Sequence, residues 1–214
     1  ISLADVFAAL QATLGSYYVN DFNKYGRTWT VRMQAEKQFR GNVDDISSIG
    51  DLELTILGLE ASGLDSRAFQ GRDLVAELRS KERDDGSYQG QVNLTAFAIL
   101  AQRSAGVEGS NVGKPASWLR SVQVRNGGWA SVPKGESEPD STGSVMQALK
   151  VAPGAHGPIQ DGAKWLERNQ HKDGGWSLTE GGTSNSQSTA WAIQGLTAAG
   201  ISAAFSRVHS PLGP

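Results

Sequence analysis

The 214-residue chain contains no cysteine, which removes disulfide frameworks and thiolate metal sites together. Its three histidines, His156, His171 and His209, show no ligand-like spacing, so no zinc site or other metal centre is expected. Lys and Arg number 20 against 22 Asp and Glu, a formal net charge of −2. No basic excess marks a nucleic-acid surface. No apolar run approaches the roughly 18 residues needed to span a bilayer. No phosphate-cradling glycine motif or nucleophile elbow appears. Hydrophobic residues make up 38% of the chain, enough for a packed globular protein. The chain opens at Ile1 without an initiator Met or a charged-then-apolar leader, the pattern of a processed protein, a trimmed chain or a fragment.

Glycine, by contrast, is abundant, with 26 residues, and most of it sits in recurring turns. "QVRNGGWAS" begins at Gln123 and "QHKDGGWSL" at Gln170, with "ERDDGSYQG" from Glu82 as a weaker echo. Trp118 recurs as Trp165, Gln123 as Gln170, Asn126 as Asp173 and Trp129 as Trp176, each after 47 residues. Thr95, Thr142 and Thr189 follow the same interval, while the Tyr88 turn precedes the Trp129 turn by 41 because its loop is shorter. Such self-similarity marks a repeat architecture.

Each unit reads as two helices. The first carries Leu78, Leu119 or Leu166 and ends near Glu82, Gln123 or Gln170. An Asp/Asn-Gly-Gly/Ser-aromatic turn follows, in which glycine permits positive φ and the Asx side chain bonds its own backbone. The second helix opens near Thr95, Thr142 or Thr189 and is more apolar, as in "NLTAFAILA" and "QSTAWAIQGL". Another apolar helix, "DLELTILGLEASG", starts at Asp51. Polar helices should form an outer layer and apolar ones an inner layer, each hairpin burying its face against the next. The expected turn residues are Gln123, Gly127, Gly128 and Trp129, then Gln170, Gly174, Gly175 and Trp176. The aromatic ring should cover the end of a neighbouring outer helix, with the glutamine bonding freed backbone groups or stacking beneath the ring.

These turns resemble the QW motif of squalene–hopene cyclases and related terpenoid cyclases, whose α/α toroid also occurs in protein prenyltransferase β subunits and cobalamin-carrier proteins. The resemblance covers about residues 48 to 205 and implies a mainly α fold. Six hairpins of about 45 residues would need roughly 270 residues, so residues 48–214 imply an incomplete toroid. Triterpene cyclases of this family protonate their substrate from the middle Asp of a D-x-D-D motif. Its nearest counterpart here is "EPDST", in which Asp140 alone matches in kind and would be the general acid. An aspartate before an apolar helix is also the usual N-cap, and a helix N-terminus favours the charged carboxylate over the acid. The zinc-dependent prenyl-transfer branch uses Asp, Cys and His, and the absence of cysteine argues against it. Phe97, Met146, Trp191 and Ile193 are candidate walls for an isoprenoid-like ligand, competing with a plain core role. The resulting expectation is a noncatalytic toroid arc, without cofactor, that binds an apolar small molecule or a protein partner. A degenerate terpenoid cyclase using Asp140 is the alternative.

Residues 1–47 have another texture. "SLADVFAALQATLG" reads as an amphipathic helix with Ser2 as cap and Gly15 as stop. Trp29, Val31 and Met33 alternate with Thr30, Arg32 and Gln34, which predicts two strands joined around residues 23 to 26. "LGSYYVNDFNKYGRTWTV", "QAEKQFR" and "VDDIS" resemble a periplasmic porter and docking segment of resistance–nodulation–division efflux pumps. The pump's membrane helices and proton-relay acids have no counterpart here. That resemblance implies an extracytoplasmic origin for the segment and a role as an interaction module. It also suggests two unrelated pieces joined near residues 47 to 50, either an artificial or misassembled fusion or a natural recombinant.

Overall fold

The computed structural model describes residues 17–24, 27–33, 46–154 and 156–201. The helix expected over residues 2–15 lies outside them. Strands β1 (Tyr17–Lys24) and β2 (Arg27–Met33) pair antiparallel, from Tyr17 opposite Met33 to Lys24 opposite Arg27. The connection falls within the expected window, and the register slips between Tyr18 and Asn20, an irregularity that adds local twist to a ribbon.

From residue 46 onward the described chain is helical. Helices α1 (Ile49–Ala61), α3 (Val92–Ser104), α5 (Pro139–Lys150) and α7 (Ser186–Ala198) form the inner layer. Helices α2 (Leu74–Arg79), α4 (Gly113–Ser121) and α6 (His156–Arg168) form the outer one, with a short 3₁₀ turn at Gly109–Val112 leading into α4. Successive inner helices pack on one another, and each outer helix rests on the inner helices before and after it. This is the mainly α, toroid-like arrangement anticipated from the repeat.

The two layers differ because their burial differs. Helix α6 has a single buried stripe, Ile159, Gly162, Ala163, Trp165 and Leu166, as suits a helix with one face in water. Helix α3 buries Val92, Thr95, Ala96, Ala98, Ile99, Ala101 and Gln102, because neighbours cover it on several sides. Leu78, Leu119 and Leu166, the matched outer leucines, are all fully buried.

The helix boundaries depart slightly from the sequence reading. The inner helices begin three residues before Thr95, Thr142 and Thr189, and the outer ones end before Glu82, Gln123 and Gln170. These residues thus belong to the turn. Ser48, Asp73 and Asn185 cap α1, α2 and α7 by accepting from the backbone N–H of Asp51, Ala76 and Ser188, the usual solution for orphan donors at a helix start.

The tightest helix pair is α5 with α7. A Cβ placed on Gly143 would lie 2.1 Å from the Trp191 carbonyl oxygen, and one on Gly195 would lie 2.8 Å from Gly143 Cα. Only glycine fits there. Gly143→Ala should therefore lower stability by about 3 kcal/mol through overpacking. Gly50, in α1, has no atom within 4 Å of an added Cβ, and Gly50→Ala should raise stability by roughly 0.5 kcal/mol. Urea titration of both variants checks the pair, and equal midpoints would contradict the close crossing.

Candidate functional site

The repeated turns are built alike. Asn126 Oδ1 accepts from Gly128 N at 3.0 Å and Ser137 Oγ at 2.8 Å; Asp173 Oδ1 accepts from Gly175 N at 3.0 Å and Ser184 Oγ at 2.9 Å. In the first copy Asp85 Oδ1 accepts from Ser87 Oγ at 2.6 Å and Ser87 N at 2.9 Å. The bonds from Ser87 hold the Asp85 carboxyl below its usual range, as those from Gly175 and then Ser184 do for Asp173. Since Asn126 performs the same task, the turn requires an acceptor and not a charge. Gly127 has φ +99°, and a Cβ there would come within 2.6 Å of the Asp161 carbonyl oxygen. The turn thus sits directly on α6, the next outer helix.

The aromatic residue closes the turn. Trp129 Nε1 donates to Leu119 O at 2.7 Å, and Trp176 Nε1 donates to Leu166 O at 2.8 Å. The Trp129 ring also lies against Gly162, where a Cβ would be 2.9 Å from Cζ3. Trp129 therefore straps its own outer helix α4 to the next one, α6. Backbone N–H groups of Tyr88, Trp129 and Trp176 donate to Thr95, Thr142 and Thr189 Oγ1 at 3.0, 2.9 and 3.0 Å. The periodic threonines were visible in the sequence, but this role was not. Gln123 Nε2 donates to Gly127 O at 2.8 Å and to Pro158 O at 3.0 Å, while Gln170 Nε2 donates to Gly174 O at 2.7 Å. His171 also serves the turn, with Nδ1 2.9 Å from Ser184 Oγ.

Counting from each N-terminal cap, Leu54, Phe97, Ser144 and Trp191 share one register on the four inner helices. Phe97 and Trp191 are half-buried and meet edge to face, ring centres 5.5 Å apart at 89°. They meet across α5 because the register there holds only Ser144. Leu54 is 64% exposed. The four candidate wall residues thus divide. Phe97 and Trp191 share this row, whereas Met146 and Ile193 occupy the register of Ile56 and Ile99. Met146 is fully buried beside Gly162 and Gly195, a packing position. Ile193 is 39% exposed.

Asp140 is not the cap of α5. That position belongs to Glu138, whose Oε1 accepts from Ser141 Oγ at 2.5 Å, with Pro139 opening the helix. Asp140 Oδ2 accepts from Gln187 Nε2 at 2.9 Å, and Asp140 Oδ1 is buried without a partner. Gln187 is the register equivalent of Asp140 one repeat later, so the bond ties α5 to α7 at their first turns.

A shallow concavity of about 210 Å³ is lined by Leu149, Lys150, His156, Ile159 and Ala198, among others. None of the four candidate wall residues borders it. No group of His, Asp and Glu among the described residues is arranged to hold a metal ion. No described helix is long and apolar enough to cross a membrane.

A polar group that sequence reading missed lies on the buried side of α1. Glu53 is 2% exposed, its Oε1 has no partner, and burial pushes its pKa from 4.5 up to about 9. Tyr88 is fully buried, and its hydroxyl accepts from Gln102 Nε2 at 3.0 Å. Burial, with a contribution from Glu82 and Glu53, raises the Tyr88 pKa well above its ordinary value. An acidic residue inside an apolar helix pattern was the one available signal.

No protein-family model matches the chain. Among solved structures it is similar to ent-copalyl diphosphate synthase from Streptomyces platensis, with a TM-score of 0.51 and 19% identity. The match covers 76% of this chain and 31% of that one, so the chain spans about a third of the synthase's length. The likeness concerns the fold, which is terpenoid-cyclase-like. The pump resemblance of residues 1–47 rests on the sequence alone.

The threonine contact gives a direct test. Thr142→Val would leave the buried Trp129 N–H without an acceptor, at a cost of about 1–3 kcal/mol. Thr142→Ser keeps the hydroxyl and should unfold near the parent's denaturant midpoint. Coincident curves for the two variants would deny the bond its role.

Proposed function

We propose that residues 48–201 act as a noncatalytic arc of the terpenoid-cyclase type, whose inner row binds an apolar, isoprenoid-like molecule or an apolar partner surface. The observation that supports this is the half-exposed Phe97–Trp191 pair, continued along the same register by exposed Leu54. Covering such a row is favourable by about 25 cal/mol per Å² of apolar surface removed from water. The edge-to-face geometry also presents a ring face beside a ring edge, a surface suited to an unsaturated hydrocarbon chain. Residues 1–47, with their paired strands, would on the pump resemblance be an attached interaction element.

Farnesol titration followed by tryptophan fluorescence tests the reading. Micromolar binding that weakens about tenfold in Phe97→Ala/Trp191→Ala is expected, tenfold being about 1.4 kcal/mol. Absence of binding, or equal affinity in the double variant, removes it.

A second reading has its own support. Asp140 keeps one oxygen bonded to Gln187 and the other buried without a donor, in the first turn of an inner helix. If this arc contributes to a terpenoid cyclase, Asp140 is the general acid, protonating an alkene or epoxide. Asp140→Asn should then abolish turnover of squalene or a shorter polyprenol. Equal turnover in both proteins, or none in either, eliminates the cyclase.

A further inference from the structure

The first hairpin of the arc carries a titratable group that neither reading uses. Glu53 lies five residues beyond the cap of α1, the register that Ala96 occupies in α3 and Gly143 in α5. In α5 that position faces the backbone of the next inner helix, with Trp191 O immediately beside it. Glu53 therefore occupies the α1–α3 contact, where the later repeats place a residue with one carbon in its side chain or none. It is buried, its Oε1 accepts from no donor, and it forms no salt bridge with any described residue.

The groups around it do not favour a charge. On the side of α2 and its turn stand Tyr88, Glu82 and Arg79, which interact with one another through the tyrosine. From α3, Gln102 commits its Nε2 to Tyr88, and its Oε1 is itself a buried acceptor without a donor. Arg103 of α3 directs its guanidinium to the Val107 carbonyl. Burial pushes the Glu53 carboxyl up, and among the described residues no cation offsets it. A carboxylate in such a place loses its hydration without a compensating partner, and it is retained as the neutral acid instead.

We propose that Glu53 is a proton-operated latch between α1 and α3, closed while the carboxyl is neutral and released when it ionises. Below about pH 4.5 folded and unfolded chains both carry the proton, and the latch contributes no pH dependence. Between about 4.5 and about 9 the unfolded chain gives up the proton and the folded one keeps it. Each pH unit in that window therefore shifts the equilibrium about tenfold toward opening. Above about 9 both forms are ionised and the dependence ends. Because each hairpin of a repeat arc is held by its neighbour, the opening is local to α1 and α2.

Glu53→Gln, which keeps the shape and cannot ionise, is the informative variant. Amide hydrogen exchange of both proteins is compared at matched pH from 5 to 10, so that the intrinsic rate cancels. The α1 amides of the parent should exchange progressively faster than those of Glu53→Gln, by about tenfold per pH unit up to about pH 9, with a constant ratio beyond it. Amides of α5 and α7 should agree between the two. An infrared difference spectrum should show a protonated-carboxyl stretch in the parent at pH 7, absent from Glu53→Gln. Parallel α1 exchange in the two proteins, or an ionised Glu53 at pH 7, overturns the latch. Should Glu53→Gln exchange uniformly faster at every pH, the carboxyl acts only through packing, which also overturns it. None of these outcomes depends on ligand binding or turnover, so the result stands apart from the functional reading above.

Discussion

The arrangement depends on a backbone N–H that has nowhere to go except a threonine. In each turn the aromatic residue is buried, and burying its amide without an acceptor would cost more than one such contact returns. The threonine at the head of the following inner helix supplies the oxygen, in the three copies at Thr95, Thr142 and Thr189. Once the amide is fixed, the tryptophan ring can reach only one place, with its own N–H on the last turn of the outer helix behind it. One residue thus joins the outer helix of its unit to the inner helix that follows. In the Trp129 copy the ring also meets the next outer helix at Gly162. Layer, hairpin and neighbour are settled at the same point.

That economy leaves the inner helices free to vary on the row they do not use for packing. Along the register of Leu54, Phe97, Ser144 and Trp191, side-chain size swings from large to small and back. The small residue in α5 is what brings two aromatic rings from different helices into contact. The relief of such a row is a property of the sequence pattern across repeats, not of any single helix. Both functional readings draw on this separation of cement from surface. The ligand-binding reading uses the row itself; the acid reading uses the first turn of α5, where Asp140 meets Gln187.

Much of the fold was legible in the residue spacing. The constant offset of Trp129 and Trp176, the Asx-glycine turns and the periodic threonines led to alternating outer and inner helices, as found. What was not legible were contacts made between positions of equal register. Asp140 looks like a cap by its place before an apolar helix, yet Glu138 and Pro139 start α5 and Asp140 turns to α7 instead. Met146 looks like a ligand wall by its chemistry, but its phase on the helix directs it between layers, against glycines. Helical spacing gives the phase within one helix; which neighbour that phase meets depends on distances across the layer. Glu53 illustrates the same limit, since a single acid in an apolar helix gives no hint of whether it faces water or a partner.

The register shared by Glu53, Ala96 and Gly143 has a geometric consequence. A spacer of diminishing size stands between consecutive members of the inner layer, long at the first junction and absent where Gly143 meets Trp191. Where that side chain is missing, the two backbones close on one another until no atom can be added between them, so the last junction of the inner layer is fixed by main chain against main chain.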